Sequence, residues 1–292
     1  MPGFPIQFHE IEQLYTWDGS DLYIPMQVDQ LARLARVNKH HTMFTMNLNR
    51  HRWISHPVDS GDDLFLPLYD EANARSRVLR YNKESGSQEE DIFNLSEQIV
   101  ANLNWTSQKL FALSHDPEAS VAYRLNEYDA VSNTATSYDL PIPADSLAIG
   151  LFSAEMDEEL CIIVQFPSSL YVFNLQPDAA VARAGFPFVM ADSTAAPITI
   201  QDWDKNGSLD MILATSNRVY VIDHRGGDMS SIFMDMGLAP DGISAGALAL
   251  DLDADGKLEL VAALNMNRLC LWEEDLRLNR DFPISFGNRG RH

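Results

Sequence analysis

The feature that most constrains the fold is an internal repeat with a period near 49 residues. The clearest pair aligns Asp202-Trp-Asp-Lys-Asn-Gly-Ser-Leu-Asp210 with Asp251-Leu-Asp-Ala-Asp-Gly-Lys-Leu-Glu259, so the second copy starts 49 residues after the first. An apolar run follows each copy, and an Asn-Arg pair then introduces a second apolar run. Weaker copies of the same frame extend back through the first half of the chain. Self-similarity at this spacing indicates stacked units, each of which buries its apolar face against the next.

Each unit has the composition of short β-strands. Val, Ile, Leu, Tyr and Phe occur in runs that Gly, Pro, Asn and Asp interrupt, and no stretch keeps the apolar period of a helix. Several short strands in a repeat of this length are typical of a propeller blade, and propellers close with about 4–8 blades. A β-solenoid and a pair of sandwiches fit less well, because the period is both long and regular.

We therefore predict an all-β fold, a single β-propeller domain over residues 1–292 with about six four-stranded blades. Seven blades would also close if the two chain ends together supplied one more. The predicted repeat units are residues 3–48, 49–95, 96–144, 145–193, 194–242 and 243–292.

Composition argues against several classes of function. A net charge of −21 and a pI near 4.5 would repel a phosphate backbone, so we expect no nucleic-acid partner. No apolar run approaches the roughly 20 residues that a membrane-spanning helix needs, so we expect no membrane span in this chain. The first residues lack a basic segment followed by an apolar one, so we expect no signal peptide. Cys161 and Cys270 lie in apolar, strand-like runs and are predicted to be buried free thiols.

The two clear repeats carry the pattern of a calcium loop. Acidic or amide side chains at positions 1, 3, 5 and 9 surround a glycine at position 6, where the chain has to turn sharply. Ca²⁺ takes about 6–8 oxygen ligands in flexible geometry, so four side chains, the carbonyl at position 7 and water would suffice. The predicted ligands are Asp202, Asp204, Asn206, Ser208 and Asp210 in one loop and Asp251, Asp253, Asp255, Lys257 and Glu259 in the other, with Ser208 and Lys257 offering backbone carbonyls.

An EF-hand is the competing interpretation of these loops. It requires a bidentate acid at position 12 and flanking helices. Position 12 is Leu213 in the first loop and Ala262 in the second, and strand-like segments precede both. Both copies therefore lack the EF-hand pattern. Crowded carboxylates repel one another, so we predict two bound Ca²⁺ ions with a structural role.

The two loops resemble the FG-GAP/VCBS repeats, whose best-known members form the propeller of the integrin α chain. The resemblance covers the repeats around Asp202 and Asp251 and implies calcium loops that connect the first and second strands of a blade. In the earlier repeats the pattern is degenerate. Ser153–Cys161 keeps two acids without the glycine, and shortened acidic loops lie near Asp21 and Asp62. These earlier loops are predicted to have lost the site.

The resemblance and the calcium loops together predict a non-catalytic binding or adhesion module that recognises a protein or a glycan. Because extracellular calcium is plentiful enough to fill weak sites, we expect an extracellular or cell-surface location, within a larger repeat protein. Two alternatives stay open: a propeller enzyme, such as a polysaccharide lyase or a quinone-dependent dehydrogenase, and a structural spacer in a surface protein.

One catalytic pattern occurs in the sequence. Gly242-Ile-Ser244-Ala-Gly246 matches a nucleophile elbow, which needs a helix after it and an acid and a histidine further along the chain. Here a strand-like run follows, and the only downstream histidine is the last residue, His292. The context therefore argues against a catalytic serine.

Overall fold

The structure is a computed structural model of the chain. It describes residues 16–17, 21–28, 31–37, 42–49, 51–145, 147–194, 196–215, 218–229, 246–264, 268–273, 275, 277–279, 281 and 284–285. Every regular element in these residues is a β-strand, which confirms the all-β prediction. Within the same residues, no helix is long and apolar enough to cross a membrane. The chain divides into two compact units, residues 1–146 and 147–292.

The first unit contains three antiparallel sheets, each built from strands that are consecutive along the chain. The first sheet consists of β1 (Thr16–Trp17), β2 (Leu22–Val28), β3 (Leu31–Val37) and β4 (Thr42–Asn49). The second consists of β5 (His51–Trp53), β6 (Val58–Asp59), β7 (Asp63–Asp70), β8 (Arg75–Asn82) and β9 (Ser87–Leu95). The third consists of β10 (Gln98–Ile99), β11 (Asn104–Thr106), β12 (Lys109–His115), β13 (Tyr123–Asp129) and β14 (Thr134–Leu140).

The second unit also contains three antiparallel sheets of consecutive strands. The fourth sheet consists of β15 (Gly150–Met156), β16 (Glu159–Gln165), β17 (Ser169–Gln176), β18 (Ala179–Ala182) and β19 (Phe188–Val189). The fifth consists of β20 (Thr199–Gln201), β21 (Asp210–Ala214) and β22 (Val219–Ile222). The sixth consists of β23 (Leu248–Leu250), β24 (Glu259–Leu264), β25 (Arg268–Trp272) and β26 (Ile284–Ser285).

Four strand positions recur in these sheets. The five-stranded sheets have one edge position divided between two short strands: β5 and β6 both pair with β7, β10 and β11 with β12, and β18 and β19 with β17. The fifth sheet has three described strands, and residues 230–242 of its predicted repeat unit lie outside the described residues. In the described parts of the chain, no sheet combines strands from the two chain ends.

Apolar layers between consecutive sheets form the core of each unit. In the first unit, Leu66 of β7 packs in a cluster with residues of the first sheet, while the adjacent Phe65 packs in a cluster with residues of the third. In the second unit, Leu213 of β21 packs toward the fourth sheet and Ile212 toward the sixth. Because successive side chains of a strand point to opposite faces, a strand between two sheets is apolar at nearly every position.

A buried glutamine joins the fourth sheet to the segment that enters the fifth. Gln165, at the end of β16, is fully buried. Its Nε2 donates to the carbonyl oxygen of Ala196 at 2.7 Å, and its Oε1 accepts from the backbone N–H of Ile198 at 3.3 Å. The amide therefore satisfies two backbone groups of the connecting segment.

We expect Gln165→Leu to lower the free energy of unfolding by about 2–4 kcal/mol, because it leaves the buried N–H of Ile198 and the partly buried carbonyl of Ala196 without this partner. Denaturant unfolding of the full chain measures the change. Gln176→Leu, at an exposed position of the same sheet, is the control and should change stability by less than about 0.5 kcal/mol. Equal stability of the two variants would contradict this role of Gln165.

Candidate metal centres

Two loops occupy the same place in the fifth and sixth sheets. Residues 202–209, the fifth-sheet loop, connect β20 to β21, and residues 251–258, the sixth-sheet loop, connect β23 to β24. Each loop therefore joins the first and second strands of its sheet. This is the position that the sequence resemblance implies.

Four hydrogen bonds fix the fifth-sheet loop. In each, a side-chain oxygen at a predicted ligand position accepts a backbone N–H of the same loop. The bonds run from Gly207 N to Asp202 Oδ2 at 3.0 Å, from Asn206 N to Asp204 Oδ1 at 3.2 Å, from Ser208 N to Asn206 Oδ1 at 2.7 Å and from Trp203 N to Asp210 Oδ2 at 2.9 Å.

The sixth-sheet loop repeats these four bonds at the equivalent positions, although four of the residues involved differ in type. The bonds run from Gly256 N to Asp251 Oδ2 at 3.1 Å, from Asp255 N to Asp253 Oδ1 at 3.1 Å, from Lys257 N to Asp255 Oδ1 at 2.8 Å and from Leu252 N to Glu259 Oε2 at 2.7 Å.

The backbone of each loop turns through two left-handed residues. The glycines at position 6 have φ of 89° at Gly207 and 88° at Gly256, as the sequence predicts. Position 4 also has positive φ, 58° at Lys205 and 61° at Ala254. Such a conformation is uncommon for residues with a side chain, and sequence reasoning gave no signal for it. The side-chain bonds on either side hold the turn in this shape.

Three acids of each loop converge on one point. One carboxylate oxygen from each of positions 1, 3 and 9 lies within 4.8 Å of the other two. Two oxygens that share a Ca²⁺ ion at about 2.3–2.6 Å are at most about 5 Å apart, so this spacing fits one ion. The converging acids are Asp202, Asp204 and Asp210 in the fifth-sheet loop and Asp251, Asp253 and Glu259 in the sixth-sheet loop.

The remaining predicted ligands are one carboxylate, one side-chain amide and two backbone carbonyls. Asp255 lies outside the converging set of its loop, and its Oδ1 accepts from Lys257 N. Asn206 likewise accepts from Ser208 N. Ligation by these two side chains, and by the carbonyls of Ser208 and Lys257, stays a prediction.

Two carboxylates of the fifth-sheet loop each have one buried oxygen without a hydrogen-bond partner. Asp210 is fully buried, and Asp210 Oδ1 and Asp202 Oδ1 have no hydrogen-bond partner. Burial raises the pKa of Asp210 to about 6, and the charges of Asp204 and Asp202 add to the increase, while the N–H of Trp203 opposes it. Because a buried carboxylate without a partner is costly, this arrangement suits a bound cation.

An open polar pocket of about 470 Å³ adjoins the fifth-sheet loop. Asp204 and Asn206 line one side of it. His224 lines another side, from the loop that follows β22 and is closed by a bond from Asp223 N to Gly227 O at 2.9 Å. Residues of the metal loop therefore form part of the pocket wall.

The sixth sheet has an equivalent pocket of about 510 Å³. Asp255 of the metal loop lines it together with Asp275, from the loop after β25. That loop closes with the same type of bond, from Glu273 N to Arg277 O at 2.9 Å. Acidic residues outnumber basic ones in the lining of this pocket.

The degenerate pattern of the fourth repeat forms a hairpin rather than an extended loop. Ser153 lies on β15 and Cys161 on β16, and Met156 pairs directly with Glu159. Only the turn residues Asp157 and Glu158 separate the two strands, both with positive φ.

Two further sequence features have different outcomes. Cys161 and Cys270 are both buried and form no disulfide, as predicted. Gly242 and Ser244 of the elbow pattern lie outside the described residues, as does His292.

Residues 202–262, which contain both metal loops, match the family model described as an FG-GAP-like repeat. This match confirms the resemblance over that segment. Comparison with curated proteins found no match.

Solved structures show that the fold is a β-propeller. The β-propeller domain of the Trilobed protease from Pyrococcus furiosus is 14% identical with a TM-score of 0.55, over 96% of this chain and 86% of that one. The Dos1 propeller is 13% identical with a TM-score of 0.55, over 91% and 68%. The dihydro-heme d1 dehydrogenase NirN, in complex with DHE, is 10% identical with a TM-score of 0.58. That match covers 96% of this chain but 57% of the dehydrogenase chain, and identities this low show the fold alone.

We expect Asp210→Asn to stabilise the metal-free protein at pH 7.5 by about 1–3 kcal/mol. The amide can still accept the N–H of Trp203, and it removes a buried charge whose pKa is raised to about 6. Because folding raises this pKa, the free energy of unfolding of the parent protein falls as the pH increases from the carboxyl pKa of the unfolded chain toward 6. The stability gained by Asp210→Asn should therefore shrink as the pH falls below 6. Thermal unfolding in EDTA across this pH range measures it.

Asp178→Asn removes an exposed carboxylate and serves as the charge-matched control. Its effect in EDTA should be small at every pH. A destabilised Asp210→Asn variant in EDTA would show that the carboxylate is well accommodated without a cation.

Proposed function

From a β-propeller fold with an FG-GAP-like repeat at residues 202–262, we propose that the chain is a calcium-stabilised, non-catalytic module that binds a protein or a glycan. One observation carries the metal part of this proposal: three carboxylates converge in each of two equivalent loops. The buried oxygens of Asp202 and Asp210 that lack a partner support it independently.

The chemistry of the donors favours Ca²⁺. Every converging atom is a carboxylate oxygen, whereas zinc and other transition metals favour sites with nitrogen or sulfur ligands. Ca²⁺ tolerates an irregular set of oxygens completed by carbonyls and water, while Mg²⁺ demands a near-ideal octahedron. The two other predicted side-chain ligands, Asn206 and Asp255, belong to the same loops and would help to complete such a shell.

The proposed role of the ion is to hold the loops in shape. A bound Ca²⁺ supplies two positive charges where three carboxylates meet. Asp204 and Asn206 would then be fixed in the wall of the fifth-sheet pocket, and Asp255 in that of the sixth. The acidic linings suit a basic side chain of a protein partner or the hydroxyl groups of a sugar. Binding of such a partner would therefore depend on calcium, because the ion fixes residues that line the pockets.

The non-catalytic assignment rests on the place of Asp210 in the fold. Burial raises the pKa of this acid, which belongs to the metal loop. Its raised pKa has a structural explanation in burial and in neighbouring carboxylates. An extracellular or cell-surface location is part of the same proposal, because millimolar calcium would fill even weak sites.

We expect millimolar Ca²⁺ to raise the thermal midpoint of the full chain over its value in EDTA. An ion that binds only the folded state stabilises it by about 2.7 kcal/mol per site at 100 times the dissociation constant. Asp204→Ala with Asp253→Ala removes one acid from each loop and should abolish most of the shift. Differential scanning calorimetry measures both effects.

The matched control is Asp145→Ala with Asp178→Ala, which removes two exposed acids and the same total charge. This variant should keep the calcium-dependent shift. A calcium-dependent shift that survives in Asp204→Ala with Asp253→Ala would place the calcium elsewhere. No shift in the parent protein would remove the metal from the proposal.

We expect a partner to bind the calcium-loaded chain at least tenfold more tightly than the chain in EDTA. Surface plasmon resonance against arrays of extracellular proteins and glycans measures this. Asp275→Lys reverses a charge in the lining of the sixth-sheet pocket and should weaken binding without changing the calcium-dependent midpoint. Lyase or dehydrogenase turnover by the purified chain, in the absence of any partner, would favour the enzymatic alternative.

A further inference from the structure

A residue with a polar or charged side chain lies at the start of the second strand of every sheet, or immediately before it. We call it the entry residue. It directly precedes β2 in the first sheet and is the first residue of the strand in the other five. Four of the six are buried acids, Asp21, Asp63, Asp210 and Glu259. The entry residues are Asp21, Asp63, Lys109, Glu159, Asp210 and Glu259.

Each entry residue has a diagonal neighbour on the third strand of its sheet. To find it, we count two residues along the strand from the entry residue and take the residue that pairs with that position on the third strand. The entry residue and its diagonal neighbour lie on the same face of the sheet, where long side chains can reach each other. Register defines the same position in all six sheets. The diagonal neighbours are Arg36, Arg80, Glu127, Asn174, Val221 and Leu271, in sheet order.

In the first two sheets the diagonal neighbour neutralises the acid. Arg36 Nη2 lies 2.6 Å from Asp21 Oδ2, and Arg80 Nη2 lies 2.7 Å from Asp63 Oδ2. Both acids are buried and both arginines are partly exposed, so the guanidinium spans from core to surface. Each buried carboxylate therefore has a cation supplied by its own sheet.

The third sheet has the same pair with the charges exchanged. Lys109 is the entry residue, and its Nζ lies 2.6 Å from Oε1 of Glu127, the diagonal neighbour. In the fourth sheet, Asn174 donates to the Glu159 carboxylate. Four sheets thus balance the entry residue across the same diagonal.

The fifth and sixth sheets break this pattern. The acid remains, but the diagonal neighbour is aliphatic, Val221 beside Asp210 and Leu271 beside Glu259. These are also the two sheets whose entry residue belongs to a converging set of three acids. Buried Asp210 Oδ1 has no partner there.

We infer that the diagonal neighbour determines whether a repeat needs a metal ion. A charged or amide diagonal neighbour neutralises the entry residue or hydrogen-bonds to it from within the sheet, whereas an aliphatic one leaves a buried acid to be neutralised by an external cation. The assignment of Val221 and Leu271 as determinants of metal dependence rests on the proposed calcium sites. The equivalence of the arginine pairs to those sites rests on register and distance alone.

The test converts the fifth sheet to the arrangement of the second. Val221→Arg should place a guanidinium beside Asp210, raise the thermal midpoint in EDTA by about 3 °C or more, and reduce the calcium stoichiometry measured by isothermal titration calorimetry from two to one. Val221→Met, which lengthens the side chain without adding charge, is the control and should keep two sites and the parent midpoint in EDTA.

Val221→Arg with two calcium sites and no gain over Val221→Met in EDTA would overturn the inference. If the parent chain binds no calcium, the proposed function is wrong, and the comparison of the two variants in EDTA still decides the role of the diagonal position. The two failures are therefore distinguishable.

Because Val221 is fully buried, Val221→Arg can fail to fold, and a reverse cycle in the second sheet then decides. Arg80→Met leaves buried Asp63 without its guanidinium and should lower the midpoint, with no recovery on adding calcium. Asp63→Asn with Arg80→Met should recover most of the loss. A double variant as unstable as Arg80→Met alone would overturn the inference.

Discussion

A carboxylate buried where the second strand of a sheet begins must be neutralised, and much of this structure is arranged around that requirement. Asp21 and Asp63 each meet an arginine of the same sheet. Asp210 and Glu259 instead belong to loops that gather two more acids each. A buried charge in this position without a partner would cost several kcal/mol, so each of these four repeats needs a group that neutralises it.

The two solutions have different consequences for the surface. In the second sheet, the pair of Arg80 and Asp63 lies beside a connection of three residues, 60–62, between β6 and β7. A loop of three converging acids is longer, and it forms part of the wall of an open pocket beside it. In the proposed function, the shape of these two pocket walls would follow the calcium concentration around the protein.

Packing between sheets imposes a second constraint, which explains the apolar character of the strands. A middle sheet such as the second is covered on both faces, so Leu66 and Phe65 are both buried although they point in opposite directions. Some polar residues inside the core bind backbone groups of neighbouring segments. Gln165, for example, binds the backbone of the segment that enters the fifth sheet.

The sequence by itself determined the repeat, the all-β class, the family resemblance of residues 202–262 and the acids at positions 1, 3 and 9 of both loops. These are local properties, because strand composition and the spacing of loop ligands are written in consecutive residues. The tertiary structure decided which ligands converge, that Lys205 and Ala254 adopt left-handed backbone, and that Arg36 and Arg80 occupy the position held by Val221 and Leu271 elsewhere. Strand register sets those contacts, and register depends on pairing between segments that are distant in sequence, which a repeat pattern alone does not fix.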